Sequence, residues 1–295
     1  MAPEPTPRED GIVQLDYDPG YGPLVDSRVR IATWNIWARY GPWEARAPVI
    51  EETLRRVDAD VIGLQEVWDD GARNQARELA AALGYEASVW APNLTFADGV
   101  QAGNAIISRW PIARHEVRGL PREGAGARDD EGEERLVVFA ELDGPRGPIQ
   151  VFCAHLSWRA DHSGVRQEQV RAICEFVRET RPRPFPAVLL GDLNAPPMSD
   201  EIRMLTGTRA VPVPGVVFGD AWATVHRDAP GYTFGNDNPF SAANLRDDAR
   251  IDYVLLGTPK LGGVGQPLTA ELIGNVPIDA MFGSDHFGLT VELRY

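Results

Sequence analysis

The sequence predicts an α/β chain in which two packed β-sheets carry helices on their outer faces, and three observations lead there. Roughly ten to twelve short runs, apolar or alternating, read as strands, against about four runs with helical spacing. The two kinds do not alternate strictly, so a single doubly wound parallel sheet fits poorly. No linker or internal repeat divides residues 28–295, which read as one domain behind an N-terminal extension, residues 1–27.

The extension is rich in Pro, Gly and Asp, with a short strand expected at Ile12–Leu15. Val29–Trp34 is alternating and β-branched, a strand that ends at Asn35. Trp43–Val57 places Ile50, Leu54 and Val57 at helical spacing; Pro48 is tolerated best in a first turn, so the helix is expected to start near it. Asp60–Gln65 is a buried strand ending at Glu66, and Ala72–Leu83 a helix closed by Gly84. Tyr85–Trp90 and Asn104–Ser108 are strands with a loop, Asn93–Gly103, between them. Gly119–Glu134 holds six acidic residues and four glycines and reads as a solvated loop, a substrate lid being the alternative. Strands resume at Leu136–Leu142 and Ile149–Ala154, the second ending at His155. Ser163 can cap a helix reaching Thr180 whose inner face is Val170, Ile173, Cys174 and Val177. Ala187–Leu190 is a continuous apolar run too short for a helix, a strand buried on both faces; Gly191 follows, then Asp192 and Asn194, and two prolines stop the run. On an extended segment residues i and i+2 point the same way, so the acid and the amide are expected to face one target. Ser199–Leu205 is a short helix, Val211–Asn244 mostly loop, and Ile251–Leu256 and Phe287–Arg294 are strands.

Composition narrows the function. A net charge of −14 disfavours tight, sequence-independent binding to nucleic acid or an anionic membrane. Lys260 is the only lysine, which sets aside a lysine nucleophile, a Schiff base and a Walker-type loop. No run approaches the roughly 20 apolar residues of a membrane span. The N-terminal stretch lacks the basic and apolar regions of a secretory signal, so a cytoplasmic location is expected. Cys153 and Cys174 fall on apolar faces and read as buried thiols.

The strand ends carry the chemistry. Asn35, Glu66, His155, Asp192, Asn194, Asp252, Asp285 and His286 each sit at the tip of an apolar run, and no serine or cysteine nucleophile is among them. Taken singly, each reads as well as a cap, a turn former or a surface group. Together they form a set of hard oxygen donors with imidazoles, which suits Mg²⁺ or Mn²⁺ better than zinc.

The pieces T-W-N (33–35), G-L-Q-E-V (63–67), A-H-L (154–156), G-D-L-N (191–194), R-I-D-Y-V (250–254) and S-D-H-F (284–287) together resemble the endonuclease/exonuclease/phosphatase superfamily, the DNase I-like metal-dependent phosphoesterases. The resemblance implies a four-layer sandwich, two mixed or antiparallel sheets flanked by helices, with all six pieces at one rim. It implies Glu66 as principal ligand of Mg²⁺ or Mn²⁺, with Asn35 and Asp285 beside it. Asp192, steadied by Asn194, would position or deprotonate the attacking water. His286, oriented by Asp252, would contact the phosphate, and His155 would donate to it from the other side. His155-Leu156-Ser157-Trp158 leading to Arg166 and Gln169, and Tyr232-Thr233-Phe234 ahead of Arg250, are similar to the sphingomyelinase-like, small-phosphodiester branch. Arg166 and Arg250 are the expected substrate-binding residues, and Trp37, Trp43, Trp68 and Trp158 could wall a pocket. The expected activity is metal-assisted hydrolysis of a small or lipid-derived phosphodiester by a monomer. An endo- or exonuclease acting on DNA or RNA, and a catalytically silent binding protein on the same fold, remain the alternatives.

Overall fold

The apolar runs pair into two six-stranded sheets, seen in a computed structural model that describes residues 25–122, 134–244 and 247–295. The extension up to residue 24, with its expected strand at Ile12–Leu15, and residues 123–133 of the acidic loop lie outside the described residues. The first half of the chain supplies β1 (Arg28–Asn35), α1 (Trp43–Val57), β2 (Val61–Asp69), α2 (Gln75–Leu83), β3 (Ala87–Thr95), β4 (Gln101–Ser108), β5 (Ile112–Gly119), β6 (Leu136–Gly144) and β7 (Gly147–His155). The second supplies α3 (Ser163–Glu179), β8 (Val188–Asp192), α4 (Asp200–Leu205), β9 (Phe218–Asp220), α5 (Ala221–Val225), α6 (Pro239–Ala242), β10 (Asp252–Gly257), β11 (Pro267–Ile273) and β12 (Gly288–Arg294).

One sheet has the order β11-β12-β1-β2-β4-β3 and the other β5-β6-β7-β8-β10-β9. Three apolar clusters separate the layers. Val29, Ile31, Val138, Val151, Leu190 and Val291 fill the space between the sheets. Phe139, Phe152 and Leu189 pack against Ile173 and Phe176 of α3 and Ile202 of α4. Ile62, Leu64 and Ile107 pack against Ile50 and Leu54 of α1 and Leu79 of α2. This is the expected four-layer sandwich. Both thiols are buried and unbridged, as the apolar faces implied, and burial pushes each up to about 12. Among the described residues no helix is long and apolar enough to cross a membrane.

Several expectations are corrected. Helix α1 begins at Trp43, a full turn before Pro48, where the Ala45 and Arg46 N–H groups donate to Pro42 O. Helix α2 begins at Gln75, where Asn74 accepts from the Arg77 N–H, rather than at Ala72. His162, not Ser163, is the residue before α3; the Ser163 hydroxyl instead donates to Glu201. Strands β3 and β4 run through most of the expected loop Asn93–Gly103 and leave only a short turn. Strands β5 and β11 were not foreseen. Each is a sheet edge, half exposed and studded with charge, where burial on one side leaves little apolar signal.

Candidate active site

Strand register brings the polar tips together. Each sheet contains one parallel pair: β1 beside β2, with Asn35 level with Gln65, and β7 beside β8, with His155 level with Asp192. Strand β10 runs antiparallel to β8 and sets Asp252 opposite Asp192, so His155, Asp192 and Asp252 form one row. Asp285 and His286 immediately precede β12, which pairs antiparallel with β1. Gly191 is required in this row: it has φ +144°, and a Cβ there would lie 1.9 Å from the Ala154 carbonyl oxygen.

Glu66 is not at a strand end. Strand β2 continues to Asp69, and the pairing jumps from Leu64–Ala105 to Val67–Gly103, so two residues of β2 face one of β4. The bulge leaves Glu66 at φ +55°, half-buried and turned toward the rim. Asn194 also departs from expectation. At φ +50° it leaves the extended path, and its amide donates to Leu156 O (3.0 Å) while its main-chain N–H donates to Asp192 Oδ1 (2.9 Å). It steadies Asp192 but does not share its target.

Asp192, almost wholly buried, is the hub. Its Oδ2 accepts from Asn35 Nδ2 (3.1 Å) and lies 3.4 Å from His155 Nε2 and 3.7 Å from His286 Nε2. His286 Nδ1 is 3.0 Å from Asp252 Oδ2, and Phe234 packs on the His286 ring at 4.8 Å. Burial alone would depress His286, but Asp252 and Asp192 on its two nitrogens hold it charged, well above the ordinary histidine range. His155 is shifted the opposite way: burial, then Arg135 and His286, keep it neutral. Burial and the neighbouring Asp252 push Asp192 up to about 6. Burial, with Glu66 nearby, pushes Asp285 up to about 6, and Glu66 is raised by burial as well.

Ligand atoms of Asp192, Asp252 and His286 lie within 4.8 Å of one another. Both His286 nitrogens already face carboxylates, Asp252 at 3.0 Å and Asp192 at 3.7 Å. Glu66 Oε1 accepts from Asn35 and Asp285 Oδ1 from Ser284, while Asp252 Oδ1 is buried without a hydrogen-bond partner. Four carboxylates (Glu66, Asp192, Asp252 and Asp285) face one charged imidazole, and this excess of negative charge on hard donors fits a divalent ion. Asn35 is buried between Trp37, Glu66 and Asp192. Its Oδ1 accepts from the Trp37 N–H (3.0 Å), and its Nδ2 bridges Glu66 Oε1 (3.0 Å) and Asp192.

The two expected substrate arginines are corrected. Arg166 is buried, with Nε 2.5 Å from Glu201 Oε1 and Nη1 donating to Ser157 O and Arg159 O. Arg250 is buried against Asp220 Oδ2 (2.7 Å) and Pro230 O. Both guanidinium groups fasten loops under the rim. Of the four tryptophans, Trp68 is buried beneath Arg39, which also stacks on Trp43 and pairs with Asp70. Trp37 packs against Phe240 (5.1 Å), and Trp158 is exposed. Arg46, buried on α1, is a site residue whose signal in the sequence is its spacing: Trp43, Arg46 and Ile50 fall on one helical face.

A model of the Endonuclease/Exonuclease/phosphatase family matches residues 32–286. The uncharacterized protein YbhP of Escherichia coli (strain K12) is 29% identical over 182 residues, which cover 56% of this chain and 66% of YbhP, just under two thirds of that curated relative. The inositol phosphosphingolipids phospholipase C of Schizosaccharomyces pombe is 26% identical over 219 residues, covering 68% of this chain and 47% of that protein. The crystal structure of an endonuclease/exonuclease/phosphatase from Beutenbergia cavernae DSM 12333 superposes with a TM-score of 0.70 at 25% identity, over 91% of this chain and 72% of the other.

Proposed function

Because the chain belongs to the Endonuclease/Exonuclease/phosphatase family, whose model spans residues 32–286, we propose that it hydrolyses a small or lipid-derived phosphodiester with the help of Mg²⁺ or Mn²⁺. One observation carries this reading: Asp192 is buried between two histidines and an amide and is raised to about 6, the protonation range of a base that works near neutral pH.

A cation held by Glu66 and Asp285 would neutralise charge on the phosphoryl oxygens. The chain's own groups do the rest. Asp192 takes the proton from the attacking water, which Asn35 Nδ2, already directed at both Glu66 and Asp192, helps to orient; as the new P–O bond forms, the ester P–O bond opposite it breaks and the departing oxygen takes a proton from solvent. His286, kept charged by Asp252, stabilises the negative charge that develops on the phosphoryl group. Neutral His155, on the other side of Asp192, donates a hydrogen bond to the same group.

The substrate class rests on charge and surface. At net charge −14, with Arg166 and Arg250 buried in fixed pairs, the rim has few cations to follow a polyanion. Tyr40, Trp158 and Met198, all exposed, stand on the loops that leave β1, β7 and β8 at this rim and offer apolar surface to an acyl chain or ring. The Schizosaccharomyces pombe relative is named for action on phosphosphingolipids. The test is a screen of the full chain against phosphodiesters, lipids and DNA with and without chelator. Turnover should vanish on chelation and return with Mg²⁺ or Mn²⁺, and Asp192→Asn should lose about 100-fold or more in kcat. Undiminished turnover in excess chelator refutes the reading.

A further inference from the structure

Arg46 is completely buried on α1, and among the described residues no carboxylate lies within ion-pair distance of it. Arg166 and Arg250, equally hidden, each have one. The Arg46 guanidinium instead donates to five main-chain carbonyls. Nη1 reaches Ile36 O (3.0 Å) and Gly283 O (2.7 Å); Nη2 reaches Trp37 O (2.8 Å), Ala38 O (3.0 Å) and Tyr40 O (2.9 Å). Burying a cation this way is costly, and desolvation lowers its pKa to about 10 in spite of the nearby charges of Asp285 and Glu66.

What those five carbonyls belong to gives the cost a purpose. Residues 36–40 follow Asn35 directly, and residue 283 leads into Asp285. The first loop is conformationally unfavourable by itself, with Trp37 at φ +56° and Ala38 at φ +32°. That loop also holds the bulge of β2: Ile36 N–H donates to Gln65 O and Ala38 N–H to Glu66 O, each at 3.0 Å. Ser284 Oγ closes the ring by donating to Asn35 O (2.7 Å). The four N–H groups of Nη1 and Nη2, shared among five carbonyls while Nε has no partner, therefore gather the segments that present Asn35, Glu66 and Asp285, a task a point-like ammonium cannot perform.

We propose that Arg46 is a positioning residue of the metal centre: through the carbonyls of residues 36–40 and 283 it sets the spacing of Glu66 and Asp285 so that both oxygens reach one divalent ion. This rests on the metal-dependent reading above. Arg46 touches neither substrate nor cation, so its loss should weaken metal binding without altering the chemistry once metal is bound.

The test is Mn²⁺ binding to the chelator-stripped chain by titration calorimetry, together with melting temperature and turnover as a function of Mn²⁺. Arg46→Lys should bind Mn²⁺ about 10–100-fold more weakly, the usual effect of losing a group that orients a ligand. Saturating Mn²⁺ should restore most of its kcat with an unchanged KM for substrate, a recovery that a general loss of fold would not show. If Arg46→Lys does not fold, Gly41→Ala serves. A Cβ on Gly41, at φ +56°, would lie 2.8 Å from the Trp37 ring, on which the Arg46 guanidinium stacks (4.7 Å), and would push the same loop while keeping the arginine in the chain, so it should weaken Mn²⁺ in the same direction. A folded Arg46→Lys, or failing that a folded Gly41→Ala, with wild-type Mn²⁺ affinity overturns the inference, whatever its melting temperature. Wild-type binding that is lost in Glu66→Gln establishes the metal reading independently. A wild-type protein that binds no Mn²⁺ overturns that reading and the role of Arg46 with it.

Discussion

Replacing Asp285 by Asn in the metal-free protein should stabilise it, and by an amount that depends on pH. Burial and Glu66 raise Asp285 to about 6 against an ordinary 3.8, in spite of the attraction of His286. For a carboxylic acid raised in the folded state, the unfolded chain releases its proton first. The penalty is therefore absent below about pH 4, grows between pH 4 and 6, and is complete above that window. Metal-free stability falls as pH rises through it. The difference corresponds to about 3 kcal/mol above pH 6. Asparagine has the shape of the protonated acid and escapes the penalty. Asp192 carries a similar burden in both proteins, so the comparison isolates Asp285. Scanning calorimetry in chelator from pH 4 to 7.5 should give coincident melting at the acid end. At the neutral end the variant should melt higher by roughly 6 °C, at about 2 °C per kcal/mol for a chain of this size. Mg²⁺ at a hundred times its Kd adds about 2.7 kcal/mol to a protein that binds it and should bring wild type level with the variant. A difference that does not change with pH, or a wild type that is the more stable form in chelator at pH 7.5, would refute the electrostatic account of the site.

Two further outcomes follow from the placement of the charges. Arg166→Met leaves Glu201 buried and uncompensated, so it should cost about 3–5 kcal/mol in a calorimetric unfolding measurement while KM stays within about twofold. A raised KM with unchanged melting would return Arg166 to the substrate. On the small-phosphodiester proposal, hydrolysis of the preferred substrate should show a salt dependence of kcat/KM below about one log unit per decade of salt, the slope for one engaged phosphate. A steep slope on DNA, with no turnover of small esters or lipids, would mark a nuclease instead.

Most of this site is legible in the sequence because it is made by strand ends, and a strand end is visible as an apolar run that stops. Asp192 after Ala187–Gly191, Asp252 before Tyr253–Leu256 and His155 after Ile149–Ala154 are found that way. The register that aligns them in one row is a property of the paired sheet and has no local signature. The bulge at Glu66 is hidden for the same reason: Gln65 and Glu66 look like two steps of a strand until Ala105 and Gly103 fix the count opposite them. Arg166 and Arg250 mislead because a guanidinium near phosphate chemistry looks available, whereas Glu201 and Asp220, distant in sequence, occupy them. Edge strands β5 and β11 are missed because exposure dilutes the alternation on which a strand is recognised.

The topology explains why these residues meet at one rim. Among the described residues each sheet has a single parallel pair beside otherwise antiparallel ones, and a parallel pair sends two C-terminal ends to the same edge. In one sheet that edge collects Asn35 and the Glu66 bulge; in the other it collects His155 and Asp192. The antiparallel neighbours β12 and β10 begin where β1 and β8 end, so they contribute residues from their N-terminal sides, Asp285, His286 and Asp252. Packing the sheets face to face then brings the two collections together, and the separation of roles follows from the division. Glu66 and Asp285, the proposed cation ligands, arise from the sheet of β1 and β12; Asp192 and Asp252, the carboxylates that face His286, arise from the sheet of β8 and β10. His286 crosses between them, carried by the first sheet and held by the carboxylates of the second. A shift of one sheet against the other would part His286 from Asp252 before it disturbed either sheet's own hydrogen bonds, so the alignment of the two sheets is itself a determinant of the chemistry.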